Sequence, residues 1–292
     1  MTATLIDGAA IARELYADFK QRVKALASRG VRPGLAAILI GDNPVSEVYV
    51  RTKTRACAEV GVHSVEHRFG ADCLEHEVIE LIESLNANPV IHGILVQLPL
   101  PPRLDTGRIL QTVDARKDVD GFNWNNLGAL VAGHPRFSPC TPLGVVTMLD
   151  REKIAVEGSN AVVIGRSVIV GKPMALMLIA RGATVTVCNS KTRELQEYTS
   201  RADIVVAAAG KPGLVKGSML KPGAVVIDVG INRLPNGKLA GDVDFASASR
   251  VASRITPVPG GVGRMTVAML IANTITAAER SIAKPYAARA SR

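Results

Sequence analysis

Aromatic residues are scarce, at 3% of 292 residues with a single tryptophan. No three lysines or arginines stand in a row. Proteins that hold single strands interleave basic charge with aromatic stacking platforms, so the net charge of +9 does not point to nucleic acid. Scattered positive charge suits small anionic ligands carrying phosphates or carboxylates. The four cysteines, Cys57, Cys73, Cys140 and Cys188, form no C-x-x-C pair and no cluster with histidine at metal-ligand spacing. Reduced thiols in a cytoplasmic protein, and no metal, are the expectation. No apolar run reaches the ~18 residues of a membrane span, and the first residues lack a basic stretch followed by an apolar one, so neither membrane insertion nor secretion is expected.

What is present is length and alternation. At ~150 residues per domain, 292 residues favour two domains. Ile11, Leu15, Phe19, Val23 and Leu26 recur at three- and four-residue steps, predicting an opening helix closed by Gly30 and Pro33. The run LAAILI at 35–40 reads as a strand buried on both faces. A helix over 46–60 stopped by Gly61, a strand over 64–69, a helix over 74–86 and a strand over 93–97 follow. Residues 117–142 have weak periodicity and read as an interdomain or active-site segment, after which Thr141 and Pro142 predict a helix N-cap and first helical position. A second series places strands at 161–164, 183–187, 204–208 and 224–229, and a helix at 170–181. A final helix over 265–280 is expected to pack back on the first domain, and the basic tail 284–292 to fray. Strands alternating with helices predict an α/β protein with parallel sheets and crossover helices.

Several segments carry chemistry. AVVIGRSVIVGKP at 161–173 runs from a buried strand through Gly165 into a helix near Gly171, the context in which backbone amides and a helix N-terminus face a dinucleotide pyrophosphate. Its G-x-S-x-x-x-G spacing departs from G-x-G-x-x-G, with Ser167 at the middle position. An NAD site places an acid at the end of the second strand. Here that strand runs into Cys188, Asn189, Ser190, Lys191, Thr192 and Arg193, and with Arg166 these favour the 2′-phosphate of NADP.

Tyr49 and Lys53 stand four apart on one helix face, where a partly desolvated lysine can move protons and a phenol can relay them or hold a substrate. Taken alone, such a pair reads more readily as a solvated surface. Gln97 ends a buried strand at the sheet's carboxyl edge, and Asp118 and Asp120 occupy an acidic turn. His63 and His67 share metal-like spacing but fall in a strand. PVPGGVGRMT at 257–266 lets backbone approach a flat ligand closely, or merely connects domains.

Together these segments resemble the methylenetetrahydrofolate dehydrogenase/methenyltetrahydrofolate cyclohydrolase (FolD-type) family. The carriers are YVRTK at 49–53, GILVQLPLP at 93–101, KDVDG at 117–121, PCTP at 139–142, GRSVIVGKP at 165–173, ADIVVAAAGKPG at 202–213, VIDVGIN at 226–232, GDVDF at 241–245 and PVPGGVG at 257–263. They span nearly the whole chain in family order. The resemblance implies Lys53 as the central cyclohydrolase residue, activating water against the methenyl bridge. It implies Tyr49 positioning the folate, Gln97 holding Lys53, and Asp120 gripping the pterin. Pro259, Gly260 and Gly261 would line the folate side, and Gly165, Arg166, Ser167, Ser190 and Ile231 the NADP side. It also implies a folate-binding catalytic domain of residues 1–141 plus 272–292 and a Rossmann-like NADP domain of 142–271, with the active-site cleft between them. A homodimer through the nucleotide domain is the family expectation, and polyglutamylated folate gives the basic balance an anionic partner.

Two departures stand out. Arg264 occupies the place of a usual proline, and Asn123-Trp124 replaces a usual His-Pro. Rival readings are a monofunctional relative, a shikimate-dehydrogenase-like NADP enzyme, and a non-catalytic or nucleic-acid-binding protein.

Overall fold

The computed structural model describes residues 2–42 and 44–283, without the side chains of 44–49. The basic tail 284–292 therefore lies outside the described residues. The chain begins with β1 (Thr4–Leu5), α1 (Gly8–Ala27), β2 (Gly34–Ile40), α2 (Pro44–Val60), β3 (His63–Phe69), α3 (Glu75–Ala87), β4 (Gly93–Val96), α4 (Thr106–Thr112) and α5 (Trp124–Val131). It continues through α6 (Cys140–Arg151), β5 (Asn160–Ile164), α7 (Gly171–Ile179), β6 (Thr184–Cys188), α8 (Leu195–Thr199) and β7 (Ile204–Ala207). The last elements are β8 (Val225–Asp228), β9 (Asn232–Arg233), β10 (Leu239–Ala240), α9 (Phe245–Ala248), β11 (Arg254–Ile255) and α10 (Val262–Ile282).

Backbone contacts divide the chain into two compact units, residues 18–119 with 271–292, and residues 1–17 with 120–270. This differs from the sequence-based division at 1–17 and 120–141. β1 pairs in parallel with β11, α5 packs against α7, and the Thr141 hydroxyl meets that of Thr266 on α10.

In the first unit β2 is flanked in parallel by β3 and β4. All seven residues of β2 are buried, as its unbroken apolar run requires. Val78, Ile82 and Leu85 form the buried stripe of α3, at the spacing of one helix face. The end of α10 completes this unit as expected. Arg22 makes a two-pronged pair with Glu279 and reaches Thr276, and Asn273 donates to the Val119 carbonyl.

In the second unit six parallel strands run in the order β1-β11-β8-β7-β5-β6. The chain leaves β5 to one side for β6 and returns on the other for β7. That reversal opens a crevice at the strands' carboxyl ends, where open α/β sheets bind their ligands.

One element went unanticipated and one helix start needs correction. Within residues 117–142 α5 forms, capped by the Asn123 side chain accepting from the Asn125 amide at 2.9 Å. And α6 starts at Cys140 rather than after Thr141, because the Thr141 hydroxyl pairs with that of Thr266 at 3.0 Å instead of capping.

Candidate active site

Lys53 lies on α2 with only 8% of its surface exposed. Its Nζ donates to Gln97 Oε1 at 2.9 Å, across 44 residues of sequence. Gln97 is itself pinned. Its backbone amide donates to the Ile38 carbonyl at 2.9 Å, and its Nε2 donates to the Leu98 carbonyl at 2.7 Å. The carboxamide therefore has one orientation, with Oε1 facing the lysine. None of the ion pairs found among the described residues uses Lys53. Cys57, one turn further along α2, is fully buried. Burial pushes its thiol up to about 12, against the pull of the nearby Lys53 charge. Tyr49 stands one turn before Lys53 on α2, and its side chain lies outside the described residues.

At the carboxyl edge of the six-stranded sheet, Gly165 leaves β5 with φ +132°. A Cβ there would collide with the Ala208 carbonyl. Its amide donates to the Cys188 carbonyl at the end of β6 at 2.8 Å, and the Ala208 amide donates to the Ile164 carbonyl at 2.8 Å. The loops after β5, β6 and β7 are thereby laced together. Ser167 Oγ accepts from the amides of Val170 and Gly171 at 3.1 and 3.3 Å, closing the start of α7 in place of an N-cap side chain. A Cβ on Gly171 would strike the Gly165 carbonyl, so both loop glycines are required by close backbone approach. Arg166, Ser190, Lys191 and Arg193 are exposed. Ser190 sits at the tip of a turn that Asn189 closes by accepting from the Lys191 amide. The glycine cradle, the free-standing cations and the absence of an acid directly after β6 fit a nicotinamide dinucleotide carrying a 2′-phosphate.

Ile231, just past β8, keeps 40% of its surface exposed although apolar, and Val168 in the phosphate loop keeps 51%. The loop 257–261 turns on Gly260 at φ +112°. The Gly260 carbonyl accepts from the Ala9 amide at 2.9 Å, and the Gly261 amide donates back to Pro257 at 2.9 Å. Pro259 is exposed, Gly261 is buried, and Arg264 stands exposed in the first turn of α10. Asp120 is half-buried at the turn leading to α5. The structure thus joins Lys53 to Gln97 in one unit, and gathers Gly165, Arg166, Ser167, Ser190 and Ile231 at one sheet edge in the other.

The sequence reading passed over two buried acids of that edge, Asp228 and Asp242. Both lie in the segments VIDVGIN and GDVDF, whose acidic residues after apolar ones were the available signal. A polar cavity of about 390 Å³ lined by Lys153, Asp203, Lys221 and Arg254 opens at the opposite, amino ends of β7, β8 and β11. Two of its three cations are already paired, Lys221 with Asp203 and Arg254 with Glu152.

A parallel sheet with this loop and crevice in one unit, and a buried lysine in a second α/β unit, define a two-domain NAD(P)-binding α/β protein. The comparisons with known proteins narrow that class. Residues 6–120 match the tetrahydrofolate dehydrogenase/cyclohydrolase catalytic domain, and residues 139–282 match the NAD(P)-binding domain of the same family. The chain is 57% identical over 283 residues to the bifunctional protein FolD of Bordetella bronchiseptica, covering 97% of this chain and 100% of that one. The crystal structure of the Campylobacter jejuni bifunctional enzyme FolD superposes with a TM-score of 0.94 at 47% identity, over 95% of this chain and 99% of that one. The Trypanosoma brucei FolD, complexed with NADP cofactor and inhibitor, also gives 0.94, at 38% identity over 97% and 100%.

The chain belongs to the tetrahydrofolate dehydrogenase/cyclohydrolase family. It is a bifunctional methylenetetrahydrofolate dehydrogenase and methenyltetrahydrofolate cyclohydrolase with an NAD(P)-binding domain, an enzyme of one-carbon folate metabolism.

Proposed function

We propose that Lys53, held by Gln97, drives the cyclohydrolase step on the product of the NADP-dependent step. The first step oxidises 5,10-methylenetetrahydrofolate to 5,10-methenyltetrahydrofolate, and the second hydrolyses that to 10-formyltetrahydrofolate. The observation that carries this reading is the 2.9 Å bond from Lys53 Nζ to Gln97 Oε1 in a buried setting. Bound NADP⁺ supplies the hydride acceptor. The protein's part in that step is orientation of the two reactants.

In the hydrolytic step water adds to the methenyl carbon and gives up one proton, and the bond from that carbon to N5 then breaks as N5 takes the second proton, leaving the formyl group on N10. Lys53 activates and places that water, Gln97 keeps Nζ aimed, and Tyr49 positions the folate. Asp120 holds the pterin, whose amide and amino groups offer donors to a carboxylate. Pro259, Gly260 and Gly261 line the folate. Gly165, Arg166, Ser167, Ser190 and Ile231 hold NADP, with the positive segment 190–193 reading the 2′-phosphate. In this reading residues 1–141 with 272–292 serve folate and 142–271 serve NADP. The enzyme works as a homodimer in the cytoplasm, on folates that carry a polyglutamate tail.

The test mixes purified protein with 5,10-methylenetetrahydrofolate and either NADP⁺ or NAD⁺, following reduced nicotinamide and methenyl compound separately. Lys53→Ala runs beside the wild type. Reduction with NADP⁺ preferred, and loss of added methenyl compound that falls by about a hundredfold or more in the variant, are expected. Undiminished hydrolysis in Lys53→Ala would remove the lysine from its assigned role.

A further inference from the structure

Two carboxylates are buried beside each other in the nucleotide-binding unit with only amide donors bonded to them. Asp242 is 0% exposed and Asp228 4%. Asp242 Oδ2 accepts from the amides of Ala209 and Gly210 at 2.6 and 2.9 Å. Its Oδ1 accepts from the Lys211 amide and from Asn232 Nδ2, both at 2.9 Å. Asp228 Oδ1 accepts from the amides of Gly230 and Asp242 at 3.0 and 2.9 Å, and its Oδ2 from that of Val243 at 3.0 Å. The surroundings are shaped around the two acids: a Cβ on Gly241 would collide with the Asp228 carboxylate, and one on Gly230 with that of Asp242.

Burying two like charges together is costly, and an uncharged side chain of the same size would avoid the cost if packing alone were at stake. Only a carboxylate, however, offers two oxygens that accept and nothing that donates. Three consecutive amides from Ala209 to Lys211 and the Asn232 amide together need all of that capacity. The loops so held are those leaving β7 and β8 at the sheet's carboxyl edge, and Ile231 rides on the second. Its Cδ1 reaches to 3.3 Å from where a Cβ on Gly263 would stand.

We propose that Asp242 and Asp228 are positioning residues for the NADP half of the reaction, clamping the loops 208–213 and 229–232 into the shape that receives the cofactor. They act through backbone amides. The inference rests on the reading of this sheet edge, and of Ile231 in particular, as the cofactor side. A merely structural role would damage both activities together, whereas a clamp on these loops bears on the step that uses NADP.

The experiment measures both activities in Asp242→Asn, Asn232→Ala and Ile231→Ala. Asp242→Asn is expected to raise the KM for NADP⁺ by about tenfold or more, since several amides lose their acceptor. Its kcat at saturating NADP⁺ should change far less, and its cyclohydrolase kcat/KM should stay near wild type. Asn232→Ala, which withdraws one of four donors, is expected to move the NADP⁺ KM in the same direction by a smaller factor. An unchanged NADP⁺ KM in Asp242→Asn, or an equal loss of both activities, overturns the clamp. A raised KM in Ile231→Ala with an unchanged one in Asp242→Asn overturns the clamp and keeps the cofactor reading. The reverse pattern removes Ile231 from the cofactor side and leaves the clamp standing through loop 208–213. Should Asp242→Asn fail to fold, hydrogen exchange on the wild-type enzyme decides: protected amides at Ala209, Gly210 and Lys211 without cofactor support the clamp, and unprotected ones overturn it.

Discussion

At the scale of single residues, the chemistry here is a matter of what a buried polar group is allowed to touch. Lys53 is fixed by one neutral acceptor, Gln97 Oε1, which is itself oriented by a bond to its neighbour's carbonyl. Asp228 is governed by opposing influences. Burial pushes its carboxyl up to about 6, helped by the Asp242 charge, while the amides of Val243, Asp242 and Gly230 pull it back. An acid that holds its proton more tightly when folded adds stability below its folded pKa and loses that contribution as pH rises through it. The Asp228 contribution should therefore decline by roughly 3 kcal/mol between about pH 4 and pH 6. Asp114, Asp203 and Asp244 are held below the usual carboxylate range, mainly by side-chain hydrogen bonds to Arg116, Lys221 and Ser247 respectively. Their contributions run the other way, so the wild-type profile alone does not isolate Asp228. Urea unfolding of wild type and Asp228→Asn from pH 4 to 7 does: the difference between the two curves should slope across that window. Parallel curves would show that Asp228 titrates normally. The sequence contained both aspartates within recognisable segments, but nothing local marks them as a buried pair, because residues 228 and 242 meet only once β9 and β10 have turned the chain back.

At the scale of elements, helix ends obey chirality closely enough to be read in advance. Gly30 and Gly61 were the expected stops of α1 and α2, and both adopt left-handed φ, +76° and +89°. The Val31 amide donates back to the Leu26 carbonyl at 3.1 Å, and the Val62 amide to that of Cys57 at 2.9 Å. The same closure ends α6, where Lys153 donates to the Asp150 carbonyl and Ile154 to that of Leu149. There the left-handed position, φ +55°, belongs to a lysine. A side chain in that conformation costs about 1 kcal/mol relative to glycine. Lys153→Gly should therefore stabilise the protein by about 0.5–1 kcal/mol, read as a higher urea midpoint with an unchanged slope. A lower midpoint would mean the lysine contributes more than its backbone strain removes. What could not be read at this scale is α5, whose eight residues lie in a turn-rich stretch. Its existence depends on the Asn123 cap and on burial of Asn126 and Leu130, which a pattern of hydrophobic spacing does not capture.

At the scale of the whole molecule, NADP binding and stability are linked. A ligand that binds only the folded chain stabilises it by about 2.7 kcal/mol at a hundredfold excess over its Kd. NADP⁺ at that excess should raise the unfolding midpoint accordingly, and NAD⁺ at the same concentration should raise it much less, because Arg166, Ser190, Lys191 and Arg193 have no 2′-phosphate to meet. Equal shifts would show that these side chains do not discriminate. The same scale separates what the amino-acid sequence determined alone from what folding decided. The order of β2 to β8 and of the helices α1, α2, α3, α6, α7 and α10, the glycine-rich turn at Gly165, the lack of an acid directly after β6 and the ordered family segments were legible, since each depends on spacing, chirality or charge within a few residues. Tertiary structure alone decided that β1 pairs with β11 at the far edge of the nucleotide sheet, and that Asp242 gathers the amides of the loop after β7. Those outcomes depend on which strands become neighbours, which is settled by burying apolar faces across tens of residues rather than by any short stretch of chain.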